Sequence, residues 1–251
     1  DMATPPTLHV HGFELVANAE CVLNGDEYYS NEKVVQEYYD ECQRIVLDAC
    51  PGATSVVAFD HNVRSKSGRE SGRRTEGGSQ VQGPASLVHG DYTADSAPRR
   101  LSQLAQPPKA NDTNTKKEPL VAQETVDRAL ESGGRYAFVN LWRPIRPVET
   151  FPLACCDART VKEDDLLVFA IHYSDRVGEN YFARHDERHR WSYYSSMTPD
   201  EALLIKQWES AADVADGVSR FALHSAFLDP ASPADARDRE SIEVRCVVLY
   251  S

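Results

Sequence analysis

Tyr136-Ala137-Phe138-Val139-Asn140-Leu141-Trp142 opens the half of the chain that decides the fold. The run is short and rich in aromatic and apolar residues, with Gly133-Gly134 before it and Arg143-Pro144 after it, which is how a strand bounded by breakers reads. Six more runs of this kind follow between turn residues: Leu166 to Tyr173, Asn180 to Ala183, Trp191 to Ser195, Ala202 to Trp208, Arg220 to His224 and Ser241 to Tyr250. The Ala202 to Trp208 run stands behind the turn-like Thr198-Pro199-Asp200 and also fits a helix. Together these runs predict a mainly β protein, a sandwich or barrel with flanking helices packed outside it.

The first half supplies those helices. Asn31 can cap a helix to about Ala49, because Val34, Val35, Tyr38, Cys42, Ile45, Val46 and Ala49 recur at helical spacing. Its polar positions, Glu37, Asp40, Glu41 and Arg44, read as solvated. Ser96 to Leu104, with Pro98 in its first turn, and Leu120 to Leu130, ended by Gly133-Gly134, predict two shorter helices. Thr7 to Val16 and Ser55 to Val63 read as strands. His9 and His11 share a face of the first, but no carboxylate is placed to complete a metal site there, so a structural role is expected. Ser65 to Gly83 collects Ser, Gly, Arg and Glu with no apolar period and predicts a mobile loop, in the position of a lid. Pro107 to Glu118 is a second polar stretch.

A length of 251 residues suffices for one core, and one domain over 1–251 is expected. The formal net charge of −12 speaks against nucleic acid as a partner. No apolar run is long enough to span a membrane. Asp1-Met2-Ala3-Thr4-Pro5-Pro6 lacks the basic and apolar parts of a signal peptide. A cytoplasmic protein with reduced thiols follows, since Cys21, Cys42, Cys50, Cys155, Cys156 and Cys246 form no C-x-x-C pair. Cys155-Cys156 reads as a strand end.

The chemistry begins at Leu87-Val88-His89-Gly90-Asp91-Tyr92. On an extended chain His89 and Asp91 point the same way, and a histidine and a carboxylate with a distant second histidine make the facial triad of non-haem Fe(II) enzymes. His224, in Arg220-Phe221-Ala222-Leu223-His224-Ser225, is the candidate third ligand. Each histidine alone also reads as a satisfied strand residue. Fifteen residues beyond His224 begins Arg239-Glu240-Ser241-Ile242-Glu243-Val244-Arg245. Arg239, Ser241, Glu243 and Arg245 share one face, so a guanidinium fork with a hydroxyl beside it can take a carboxylate such as the distal end of 2-oxoglutarate. The alternative is an edge strand whose charges pair with Glu240 and Glu243. Asn140 can reach the cosubstrate. Arg143 can hold a substrate carboxylate, or pair with Glu149 or Asp157 beside a core Trp142. Arg64 is a second candidate for a substrate carboxylate, and His189-Arg190-Trp191 with Tyr193 and Tyr194 offers a further pocket wall through Trp191.

Val88 to Thr93, Asn140 to Ile145, Pro152-Leu153-Ala154 with Cys156-Asp157-Ala158-Arg159, His189-Arg190-Trp191 and Arg239 to Arg245, taken in order, resemble a fungal and bacterial oxygenase family. That group includes gibberellin-desaturase-like enzymes and the smaller component of the cephamycin methoxylase. The similarity runs from His11-Gly12-Phe13-Glu14-Leu15-Val16 to the C-terminus. The resemblance implies a double-stranded β-helix (jelly-roll, cupin-like) core and oxidation by Fe(II), O2 and 2-oxoglutarate. It places the metal on His89, Asp91 and His224 and the cosubstrate on Arg239, beside which Ser241 adds its hydroxyl, and Arg245 is a second anchor. The expected function is hydroxylation, desaturation or cyclisation at an unactivated C–H bond of a small molecule, an amino-acid-derived metabolite being the first guess. Two alternatives remain open: a non-catalytic accessory or metabolite-binding subunit, and an iron enzyme that does not use 2-oxoglutarate.

Overall fold

The last strand, 11 residues long, pairs along its length with two others and organises the rest. The computed structural model describes residues 4–19, 21–77, 79–109, 112–113, 118–172, 177–212 and 217–250. Along the chain lie β1 (Phe13–Val16), α1 (Asn31–Lys33), α2 (Tyr39–Asp48), β2 (Ser55–Ser65), α3 (Lys66–Glu70), β3 (His89–Gly90), α4 (Ser96–Leu104) and α5 (Gln123–Leu130). Then come β4 (Arg135–Pro144), β5 (Leu153–Cys156), β6 (Leu166–His172), β7 (Val177–Ala183), β8 (Trp191–Tyr193), β9 (Ala202–Glu209), β10 (His224–Ala226) and β11 (Glu240–Tyr250). They form a five-stranded antiparallel sheet in the order β1-β9-β4-β11-β2 and a six-stranded antiparallel sheet in the order β6-β7-β3-β10-β5-β8.

Strand parity sorts the five-stranded sheet into two working faces. On the outer face Ile242, Val244, Cys246 and Val248 of β11 join Val139 and Leu141 of β4 and Tyr38, Cys42 and Val46 of the helical run, making one buried cluster. The inner face packs on the other sheet, with Trp142, Leu203 and Ile205 against Leu153, Cys155 and Ala222. At one end of that interior, α4 and α5 bring Ala97, Leu101 and Val126 onto Phe138, Trp208 and Val247. Between these apolar ends lies a polar band, where β2, β4 and β11 place Asp60, Asn62, Asn140, Ser241, Glu243 and Arg245 on the face toward β3 and β10. The mainly β expectation with a jelly-roll core and flanking helices holds.

Several local expectations are corrected. The predicted 31–49 helix is real but contains a π-helical turn, Val34–Tyr38, which brings both Tyr38 and Tyr39 into the core. Glu41, read as solvated, is only 2 % exposed. The first strand starts at Phe13, because 7–12 fold back on themselves through His11 N–H donating to Thr7 O at 2.8 Å. Gly12 there has φ +86 and packs where a Cβ would lie 2.9 Å from Ala222 Cβ, so both its conformation and its space require glycine. Ala202 to Trp208 is strand, not helix, and the 220–224 run is strand only from His224. The 65–83 segment is built rather than shapeless: Ser65 Oγ accepts from Gly68 N–H to cap α3, Gln82 bridges Arg64, and Val81 is 1 % exposed. Residues 1–3, 78, 110–111, 114–117 and 173 of the stretches discussed above lie outside the described residues. All six cysteines are free.

Candidate metal centre

β3 is two residues long, yet it decides the site. His89 stands directly opposite His224 across the β3/β10 pair, and the imidazole centroids are 4.3 Å apart. Asp91 follows on the same side, its Oδ1 3.8 Å from His89 Nε2. One ligand atom from each of His89, Asp91 and His224 falls within 4.8 Å of the others, the one such group among the described residues. His89 Nδ1 lies 2.7 Å from Leu87 O and His224 Nδ1 3.4 Å from Ala222 O. A ring nitrogen that donates to a carbonyl leaves the other nitrogen with its lone pair toward the interior. Burial, and then His89, push His224 down to about 3, so it is neutral and able to coordinate.

Asp91 is held from three directions. Asn140 Nδ2 donates to its Oδ2 at 2.9 Å, and Arg245 Nε approaches the same oxygen at 3.4 Å. Asp91 N–H donates to Gln207 Oε1 at 3.2 Å. Both side-chain contacts fall on Oδ2, which leaves Oδ1 to face the histidines. Burial opposes ionisation of Asp91, but the Arg245 guanidinium and the Asn140 hydrogen bond outweigh it and hold the carboxyl well below the usual range.

Arg239 is 1 % exposed, with Nη1 donating to Phe151 O at 2.7 Å and its guanidinium over the Trp142 ring. Phe151 has φ +48, a left-handed conformation in a non-glycine residue, and its carbonyl serves this arginine. Burial, and then Arg64, push Arg239 down to about 9, with Glu243 acting the other way. No carboxylate lies within ion-pair distance of Arg239 among the described residues. Its Nε and the neighbouring Ser241 Oγ are buried without hydrogen-bond partners. Two buried polar atoms side by side, one a charged donor, are what an incoming carboxylate would satisfy. Glu243, between them and Arg245, is raised by burial and by Asp91.

Other candidates are placed elsewhere or already engaged. Arg245 donates from Nη1 to Asp60 Oδ2 at 2.8 Å and lies 3.6 Å from Glu243 Oε1, and with its amide oxygen turned inward Asn62 accepts from both Nη atoms. Its fork is filled by the chain's own oxygens, so the second-anchor reading gives way to one in which it orients Asp91. Asn140, expected on the cosubstrate, likewise reaches Asp91. Arg143 is corrected outright: it lies on the opposite face of β4 from Asn140, fully buried, with Nη2 2.6 Å from Glu41 Oε1 and its guanidinium over Tyr38. It pairs with neither Glu149 nor Asp157, and no substrate reaches it. Trp191 pairs with Cys156 and so shares the face opposite His224 and Cys155, on an edge strand, 38 % exposed. Arg64 stays beside the centre, its Nη1 donating to Gly83 O at 2.9 Å.

An opening of about 430 Å³ leads to His89 and Asp91, walled by Asn62 and Arg64 of β2, by Ser79 and Gln82 of the 65–83 segment, and by Asn180 of β7. Thr113 donates to Asp60 at its rim, which brings the second polar stretch to the same mouth. Gln207 escaped the sequence reading because it is the extra residue of a bulge opposite Phe138 and Val139, and a bulge leaves no mark in the hydrophobic pattern.

A family model described as an oxidoreductase/YMDC permease-like domain matches residues 2–249. Among the described residues no helix is long and apolar enough to cross a membrane. The chain is 30% identical over 261 residues to the hydroxylase/desaturase efuI of Hormonema carpetanum, covering 97% of this chain and 79% of that protein. It is 28% identical over 250 residues to the α-ketoglutarate-dependent dioxygenase tstK of Talaromyces stipitatus, covering 97% and 80%. Among solved structures, the iron and α-ketoglutarate-dependent endoperoxidase NvfI superposes with a TM-score of 0.75 at 26% identity, over 96% of this chain and 80% of that one.

Proposed function

This chain belongs to a family of iron- and 2-oxoglutarate-dependent oxygenases, and from that premise we propose how its own residues carry out the oxidation of an unactivated C–H bond in a small metabolite. His89 and His224 through Nε2 and Asp91 through Oδ1 would hold Fe(II) on one face and leave the other open. The donor set fits: a neutral imidazole at His224, a second imidazole at His89 whose Nδ1 faces the Leu87 carbonyl, and a carboxylate held ionised at Asp91. When bound, the iron and 2-oxoglutarate together supply an oxidant drawn from O2, with succinate and CO2 released and the second oxygen atom spent on the substrate.

Arg239 and Ser241 take the distal carboxylate of 2-oxoglutarate, and their unpartnered Nε and Oγ are the observation that carries this reading. Asn140, Arg245 and Gln207 keep Asp91 in its orientation, so that Oδ2 is engaged by the chain and Oδ1 is the oxygen that would be offered to the metal. Within the family, the ordered motifs support a place near the gibberellin-desaturase-like group. Hydroxylation, desaturation and cyclisation all begin with the same hydrogen removal.

Anaerobic Fe(II) titration, followed by succinate assay on adding 2-oxoglutarate and O2, tests the reading. Stoichiometric Fe(II) binding and succinate release are expected in the unaltered chain, and both should be lost in His224→Ala. Unchanged iron binding and succinate formation in that variant would overturn the ligand assignment. Iron binding without any succinate would leave an iron enzyme that does not use 2-oxoglutarate.

A further inference from the structure

β6 and β7 form a hairpin at the edge of the six-stranded sheet, and its surface is unusually apolar for one that meets water. Leu167 is 40% exposed, Val168 63% and Phe169 51%. Leu167 pairs with Phe182, Phe182 with His89, and His89 with His224, so these four residues form one continuous row across the sheet. Residues directly opposite one another in an antiparallel sheet point to the same face, so Leu167 and Phe182 share the face of the metal ligands. Phe169 joins them by the period of two, and its ring lies 4.9 Å from that of Phe182. Val168 points the other way.

Adjacent strands are about 4.8 Å apart, so this strip begins beside His89 and extends about 10 Å from it. Exposed apolar surface of this kind, continuous with a reactive centre, marks a binding face. The polar alternatives are already engaged: Arg143 is sealed against Glu41 and Arg64 donates to Gly83 O. We propose that Leu167, Phe169 and Phe182 form the shelf on which the substrate lies, and that the substrate is an extended apolar molecule of fused-ring dimensions rather than an amino acid. The proposal deepens the oxygenase reading and rests on it for the metal beside which the molecule docks and for what happens to the molecule there.

The test uses Mn(II)-loaded protein and 2-naphthol as a neutral fused-ring probe, with line broadening of the naphthol protons by the paramagnetic ion as the readout of a site beside the metal. Broadening is expected with the unaltered chain. Leu167→Glu combined with Phe169→Glu should weaken it by about tenfold or more in apparent affinity, because two apolar contacts are exchanged for charge. Val168→Glu, on the same strand but the opposite face, should stay within about twofold. Phe169→Ser, a mild change at a half-exposed position, serves if the double variant fails to bind Mn(II), and it should weaken the probe in the same direction. An unchanged affinity in the Leu167 and Phe169 variants, or displacement of naphthol by equimolar glutamate, would overturn the shelf. So would equal losses in all variants, Val168→Glu included, accompanied by a dimer-to-monomer shift in sedimentation, which would make the strand a contact between two copies. None of these measurements needs turnover, so absent succinate formation with Mn(II) binding and broadening intact would sink the oxygenase reading and leave the shelf standing, while lost broadening in protein shown to bind Mn(II) would do the reverse.

Discussion

Arg143 and Arg239 are both cut off from water, at 0 % and 1 % exposed, and they sit at the same end of neighbouring strands. They differ in what answers their charge. Arg143 faces outward to the helical run, where Glu41 lies 2.6 Å away; burial works against its charge, yet Tyr38 and Glu41 hold it above the ordinary value for arginine. Arg239 faces inward, where burial and then Arg64 push it down to about 9 and Glu243 offsets only part of this. A buried charge is tolerated only when something compensates it. The protein compensates Arg143 itself; for Arg239 the compensation has to arrive from outside. The same residue type, buried to the same degree, is therefore architecture on one face of the sheet and, in the function proposed above, a ligand anchor on the other.

The sharpest way to break the contrast is to remove Arg143. Arg143→Leu takes the guanidinium away from the buried Glu41 carboxylate and should cost about 3–5 kcal/mol of unfolding free energy in urea titration, with most of it regained in Arg143→Leu combined with Glu41→Leu. 2-Oxoglutarate affinity of the folded protein should not change, and if it fell as in the Arg239 variant the contrast would be wrong. Arg239→Leu should behave in the opposite way, with stability kept or raised and 2-oxoglutarate affinity of the metal-loaded protein lowered by about 2–3 kcal/mol, read by calorimetric titration.

Asn140→Ala separates orientation from anchoring. Loss of the bond to Asp91 Oδ2 should weaken metal affinity by about tenfold, while 2-oxoglutarate binding to protein saturated with metal is little altered. The smallest effect concerns His61, which burial pushes down to about 4 and whose Nδ1 lies 2.9 Å from Tyr39 Oη behind the polar band. Its folded pKa is below its unfolded one, so the unfolded chain binds the extra proton between about pH 4 and 6.5. Stability should therefore fall with acidification across that window, by at most about 1.4 kcal/mol per pH unit. His61→Gln should flatten that part of the pH profile, and an unchanged slope would assign the acid sensitivity elsewhere.

Much of this was legible in the chain. The period of two in 239–248 correctly separated Arg239, Ser241, Glu243 and Arg245 from Ile242, Val244, Cys246 and Val248. The same rule, applied to Asn140 and Trp142, already put Arg143 on the other face, but nothing in a sequence says what a face will meet. Glu41 lay in an apparently solvated stretch because its partner is a strand a hundred residues away. Gln207 was hidden by a bulge, and the 65–83 segment by the fact that its order comes from bridges to Arg64 and Ser30 rather than from its own composition.

Residue types and their alternation determined by themselves that this would be a β-rich protein, with His89 and Asp91 aimed the same way and Arg239 and Ser241 on one face of the last strand, because side-chain direction along a strand is a local property. The tertiary structure alone decided which of those groups would be spent on one another. Arg245 and Asn140 are occupied by Asp91, Arg143 by Glu41, and Arg239 and Ser241 are left with unfilled bonds, since pairing across sheets depends on distances that no stretch of sequence contains.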